Sequence, residues 1–129
     1  MKYILFVCTE NSARSQMAEA LFNFHNRNAE YAGISAGTSP AKATKQGAVE
    51  AMKEKGIDIS QQAPKMLSSD MVKKAERLYT MGCAEGCPVT PPDKTKDWDL
   101  EDPAGKPIEK YREVRDEIER RVKLLVSEL

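Results

Sequence analysis

The sequence predicts an α/β protein of three layers, a four-stranded parallel sheet held between helices, in a single domain over residues 1–129. Three observations carry this expectation. Strand-like apolar runs alternate along the chain with segments of helical periodicity, the pattern of right-handed βαβ units. The first run, Tyr3–Val7, is apolar without polar alternation, as in a strand buried on both faces of a parallel sheet. A chain of 129 residues is also long enough to bury about two-thirds of its unfolded surface around one core.

Taken in order, the first strand covers residues 2–7. Met17, Ala18, Leu21 and Phe22 then recur at helical spacing and predict a helix from 14 to about 27. The stretch "YAGISAG" at 31–37 reads as a second strand. "TKQGAVEAMKEKG" reads as a helix that ends on Gly56 in a left-handed cap. A short helix near Ser69–Ala75 leads into a third strand at Glu76–Met81. Five of the seven prolines fall in 88–107, which predicts loop with a short fourth strand near Lys94–Trp98. Ile108, Tyr111, Val114, Ile118, Val122, Leu125 and Leu129 step by three or four, the stripe of one long core-facing helix.

Twenty Lys and Arg balance twenty Asp and Glu, so nucleic acid is not an expected partner. The apolar start is too short for a signal core, and no stretch approaches the roughly 20 apolar residues that span a bilayer. The expectation is a cytoplasmic protein with no membrane partner. No coiled-coil seam or apolar patch speaks against a monomer. Three cysteines, an odd number, suit chemistry or metal better than a disulfide framework.

The stretch "CTENSARS" places Cys8 at the carboxyl end of the first strand, where open α/β sheets bind ligands. Thr9, Glu10, Asn11, Ser12 and Ala13 separate it from Arg14, which opens the first helix. Backbone N–H groups of such a loop converge on one point, and the helix N-terminus adds partial positive charge. Cys8, residues 9–13, Arg14 and Ser15 thus form a candidate socket for a tetrahedral oxyanion. Arg14 supplies a planar fork matched to two anion oxygens. The same field favours the Cys8 thiolate, so no histidine base is needed. The single histidine, His25, is expected on an exposed helix face. Ser12 and Ser15 can donate to the sulfur or its loop, and Asn11 can adopt a left-handed backbone and tie the turn. A buried inert cysteine is the competing reading; the strand before the loop and the helix after it favour the socket.

"VCTENSARSQMAEALF" at 7–22 resembles the phosphate-binding loop of the low-molecular-weight protein tyrosine phosphatase superfamily, and more closely its arsenate reductase branch. The resemblance continues through "ISAGT" at 34–38, "AVEAMKEKGIDIS" at 48–60, "TMGCAEGCP" at 80–88 and "DWDLEDPAGKPIEKYREVRDEI" at 97–118. It implies that family's fold. It implies Cys8 as nucleophile and Asp102, in Asp102-Pro103, as the acid that protonates a departing oxygen. In the reductase branch it further implies that Cys83 attacks the sulfur of Cys8 and that Cys87 then attacks Cys83. Arsenate is the substrate so implied, and thioredoxin or another thiol reductant regenerates the enzyme. A helical spacing of four would set Cys83 and Cys87 about 6 Å apart along the axis, within disulfide reach. Two structural thiols, or a zinc clip using Cys83-x3-Cys87 with Cys8 or His25, are the other readings of that pair.

The alternative within the family is a phosphatase working through a phosphocysteine at Cys8, which would need Arg14 and Asp102 but neither later cysteine. "DPAGK" has no aromatic residue to grip a phosphotyrosine ring, and Tyr79 and Trp98 are expected to pack in the protein rather than clamp a substrate. No cofactor is required; the resemblance also implies a potassium-like cation near Asn11, Glu19 and Ser35. The chain departs from the family pattern at Glu10, where glycine is common, at Ala13, where many reductases have cysteine, and in the short spacing between Cys83 and Cys87.

Overall fold

A computed structural model describes residues 1–82 and 91–129. The elements are β1 (Lys2–Cys8), α1 (Arg14–His25), β2 (Tyr31–Gly37), α2 (Gln46–Lys53), α3 (Ser69–Lys74), β3 (Ala75–Thr80), β4 (Thr95–Asp97) and α4 (Ile108–Ser127). They form a four-stranded, all-parallel sheet in the order β2-β1-β3-β4. β1 is central, and the chain passes from it to β2 on one side and later to β3 on the other. Such a reversal of direction opens a crevice at the carboxyl end of the strand, and Cys8 ends β1 there.

Side chains of β1 alternate between two cores. Ile4, Phe6 and Cys8 pack with residues of α1, α2 and α4, including Met17, Leu21, Met52, Ile118 and Val122. Leu5 and Val7 join Ala36, Ala75 and Leu78 on the opposite face, where Met71 and Val72 of α3 cover them. The absence of polar alternation in Tyr3–Val7 follows from this double burial. In α4, Tyr111, Val114, Ile118, Val122 and Leu125 are buried, as the stripe predicts. Tyr79 and Trp98 are packing residues: their rings lie 4.7 Å apart by centroid, and both lean on Phe6. No described helix is long and apolar enough to cross a membrane.

Helix limits depart from expectation for local reasons. α2 begins at Gln46 rather than Thr44 because Lys45 is extended and donates its N–H to Ser12 O, 2.8 Å away. Its far end closes as expected on Gly56, at φ +75°. Gly56 N–H donates to Lys53 O at 2.9 Å and Ile57 N–H to Met52 O at 3.1 Å, the paired bonds of a Schellman motif. α1 stops at His25 because Asn26 turns extended and its amide donates to Asn28 O and Tyr31 O. His25 is not the exposed residue that its place on α1 predicts. α4 packs over it, and its Nε2 lies 2.8 Å from Glu119 Oε2, with Lys55 Nζ on the other carboxylate oxygen at 3.1 Å.

Candidate active site

The loop after β1 holds its shape through its carbonyls. Thr9 O, Glu10 O and Ser12 O accept from the backbone N–H groups of Ser39, Ala41 and Lys45 at 2.8, 3.0 and 2.8 Å. In a trans peptide the C=O and the following N–H point opposite ways. Carbonyls drawn outward therefore turn the N–H groups of Glu10, Asn11 and Ala13 inward. The Asn11 N–H does reach Cys8 Sγ, at 3.2 Å. Asn11 has φ +49°, the left-handed conformation expected of it.

A chain of hydrogen bonds fixes the second donor to the sulfur. The Lys65 N–H can only donate, and it meets Asn11 Oδ1 at 2.9 Å. That assigns the oxygen, so Nδ2 is the atom that faces Ser15 Oγ at 2.6 Å. Ser15 Oγ accepts there, and its proton is free for Cys8 Sγ, 2.9 Å away. Gln16, fully buried, adds donors to Asn11 O at 3.1 Å and Asn11 Oδ1 at 3.2 Å, and its own oxygen accepts from Gln62 Nε2. Ser12, the other candidate donor, turns instead toward Glu10 Oε1 at 3.5 Å.

Arg14 is 6% exposed. Its Nη1 donates to Met81 O at 2.5 Å and Leu100 O at 2.9 Å, and Nη2 lies 3.7 Å from Asp102 Oδ2. Asp102 is itself steadied by the Ala104 N–H, 3.0 Å from Oδ1. Arg14 thus joins three pieces: the loop, the end of β3 and the Asp102-Pro103 turn. Cys8, Thr9, Glu10, Ser12, Ala13, Arg14, Asp102 and Ala104 line one pocket of about 210 Å³. Among the described residues no aromatic side chain lines it. The Glu10 carboxylate is matched at the rim by Lys45 Nζ, 3.4 Å away. Cys83 and Cys87 lie outside the described residues.

Gly37, Gln16, Lys45 and Lys65 are site residues that sequence reading did not single out. Gly37 pairs directly with Cys8 across the β1–β2 ladder. A Cβ there would lie 2.6 Å from Thr9 O and 2.9 Å from Asn11 N, both backbone atoms of the loop. Gly37→Ala is therefore expected to displace the loop, cost about 1–3 kcal/mol and lower Tm by roughly 5–10 °C. Phosphate binding followed by calorimetry should weaken at least several-fold; wild-type affinity would show that the loop tolerates the methyl group.

The structure brings two of the three expected cation ligands together. Ser35 Oγ donates to Glu19 Oε1 at 2.7 Å, and Lys65 Nζ lies 3.7 Å from the same oxygen. Asn11 Oδ1, the third, already accepts two N–H donors, the capacity of a carbonyl oxygen. These groups do not fit a monovalent cation as arranged, since the carboxylate already has an ammonium beside it and the amide oxygen is turned to the Lys65 N–H.

Residues 3–86 match the low molecular weight phosphotyrosine protein phosphatase family. The arsenate reductase of Brevibacillus brevis is 44% identical over 126 residues, covering 95% of this chain and 92% of that protein. Among solved structures, an arsenate reductase in the phosphate binding state superposes with a TM-score of 0.87 at 32% identity, over 99% of this chain and 98% of that one. The YwlE arginine phosphatase from Geobacillus stearothermophilus superposes with a TM-score of 0.84 at 30% identity, over 99% and 92%. With a Cys8–Arg14 loop at the carboxyl end of its central strand and these matches over nearly its whole length, the chain belongs to the low molecular weight phosphotyrosine protein phosphatase family.

Proposed function

We propose that this protein reduces arsenate to arsenite, with Cys8 as nucleophile and Cys83 and Cys87 as the thiols that supply the electrons. The observation that carries the reading is the pocket itself. A thiol on its floor has two hydrogen-bond donors, an arginine forms its wall, and Asp102 and Ala104 close it, with no aromatic ring among the described lining residues. Such a pocket suits a bare tetrahedral oxyanion better than an aryl phosphate. Relatives named arsenate reductase, 40–44% identical over 95% of the chain, support the same choice.

The Cys8 thiolate attacks arsenic(V), and one oxygen leaves as water after taking a proton from Asp102. The inward N–H groups and Arg14 hold the remaining oxygens as charge builds on them. Cys83, as thiolate, next attacks Cys8 Sγ. The electron pair of the sulfur–arsenic bond passes to arsenic, which leaves as arsenite, and a Cys8–Cys83 disulfide remains. Cys87 attacks Cys83, frees the Cys8 thiolate and leaves a Cys83–Cys87 disulfide. A dithiol protein, thioredoxin in our reading, reduces that disulfide and takes up the oxidation.

Arsenate-dependent consumption of NADPH through thioredoxin reductase and thioredoxin tests each part. Wild type should turn over, whereas Cys8→Ser, Cys83→Ser and Cys87→Ser should each fall to background. Cys83→Ser turnover at the wild-type rate would sink the relay. Phosphate ester hydrolysis that needs Cys8 and Asp102 but survives loss of both later cysteines, in the absence of arsenate turnover, would establish the phosphatase alternative instead.

A further inference from the structure

We infer that the Lys65 ammonium is a built-in cation for this site, taking the place that a bound monovalent ion would occupy beside Glu19 and Ser35. Glu19 is a half-buried carboxylate on α1, one turn after Ser15, and its side chain is 15% exposed. It approaches Ser35 of β2, which is fully buried. A carboxylate in such a place needs a counter-charge. Lys65 Nζ lies 3.7 Å from Glu19 Oε1 and 3.4 Å from Ala63 O, so it sits among the oxygen acceptors that would otherwise coordinate an ion. A second positive charge there would be repelled by the first.

Lys65 acts on the catalytic loop in two ways. Its backbone N–H fixes Asn11 Oδ1, and through Asn11 the direction of the Ser15 proton toward Cys8. Its side chain neutralises Glu19, which ties α1 to β2 directly behind that loop. Lys65 touches neither the pocket nor the sulfur, so it is a positioning residue. Its side chain can be changed while the backbone N–H stays.

The inference rests on the oxyanion-socket reading of the loop and not on the reductase chemistry. Its test is melting temperature and phosphate affinity, measured in potassium chloride and in choline chloride at equal ionic strength. Wild type should give the same values in both salts, and Lys65→Arg should behave like wild type. Lys65→Met in choline should melt about 2–4 °C lower and bind phosphate roughly 2–5-fold more weakly. Potassium should restore most of both losses. Lys65→Asp should depend on potassium more strongly still. A potassium-specific gain in wild type, or a Lys65→Met variant that responds equally to both salts, overturns the inference. If wild type binds no phosphate, the socket reading fails on its own, and the melting temperatures alone decide the role of Lys65.

Discussion

Arg14→Lys is expected to lower phosphate and arsenate affinity, and with it kcat/KM, by about 10²–10³-fold, although the formal charge is unchanged. The side chain has two tasks that a single ammonium cannot combine. Nη1 donates to Leu100 O and to Met81 O, which also accepts the Leu100 N–H at 3.3 Å, while the remaining N–H groups form the pocket wall. A lysine that reached the carbonyls would leave the anion, and one that reached the anion would leave Leu100 O at a cost of about 1–3 kcal/mol and weaken the bonding of Met81 O. Melting should therefore fall by several degrees together with affinity. Retention of affinity within a few-fold would mean that Arg14 acts as a point charge only. The geometry also has a consequence for the proposed relay. Met81 and Gly82 directly precede Cys83, and Leu100 lies two residues before Asp102, so Arg14 anchors the nucleophile loop to both segments that must meet it. Gly82, at φ +86°, permits that close approach, since a Cβ there would lie 2.8 Å from Leu100 N.

What the sequence showed of this site was its local part. Cys8 and Arg14 are six residues apart with a strand before and a helix after, so their partnership follows from chain geometry alone. Asn11 and Ser15 lie within the same turn; Asn11 has the left-handed backbone expected of it, and Ser15 Oγ lies 2.9 Å from Cys8 Sγ. The supports come from elsewhere. Lys65 is 54 residues from the Asn11 side chain that it orients, and Gly37 meets the loop only because β2 pairs in register with β1. No periodicity marks either one. Lys45 illustrates the conflict between levels: a helix pattern includes it, but Ser12 O takes its N–H and the helix starts one residue later. The place of His25 on α1 does not reveal its cover, because the contact with Glu119 of α4 depends on how the two helices pack. Glu10, an anomaly as a carboxylate in an anion loop, is resolved by a lysine 35 positions away that faces it across the rim.

Asn11→Asp separates the folding role of this side chain from its chemical role, and we expect it to fold while losing most of its activity. Asparagine here has φ +49°, which aspartate also tolerates better than alanine. The new carboxylate can still accept from Lys65 N–H and Gln16 Nε2, the contacts that Oδ1 makes now. It cannot donate to Ser15. The Ser15 proton would turn to the carboxylate, Cys8 Sγ would lose one of its two described donors, and a second negative charge would stand beside the thiolate. Alkylation of Cys8 by iodoacetamide at neutral pH should slow, and kcat/KM should fall by about 10²-fold or more, with Tm changed by only a few degrees. Asn11→Ala should behave differently. It strands the Lys65 N–H and adds left-handed strain, together about 2–5 kcal/mol, while the Gln16 amide keeps Asn11 O and Ala63 O, so its Tm should drop by roughly 10 °C. Asn11→Gly should recover the strain, about 1–2 kcal/mol, but not the hydrogen bonds. Were Asn11→Asp to alkylate and turn over like wild type, the direction of the Ser15 hydroxyl would not matter to the thiolate, and the inward N–H groups and Arg14 would have to account for its reactivity alone.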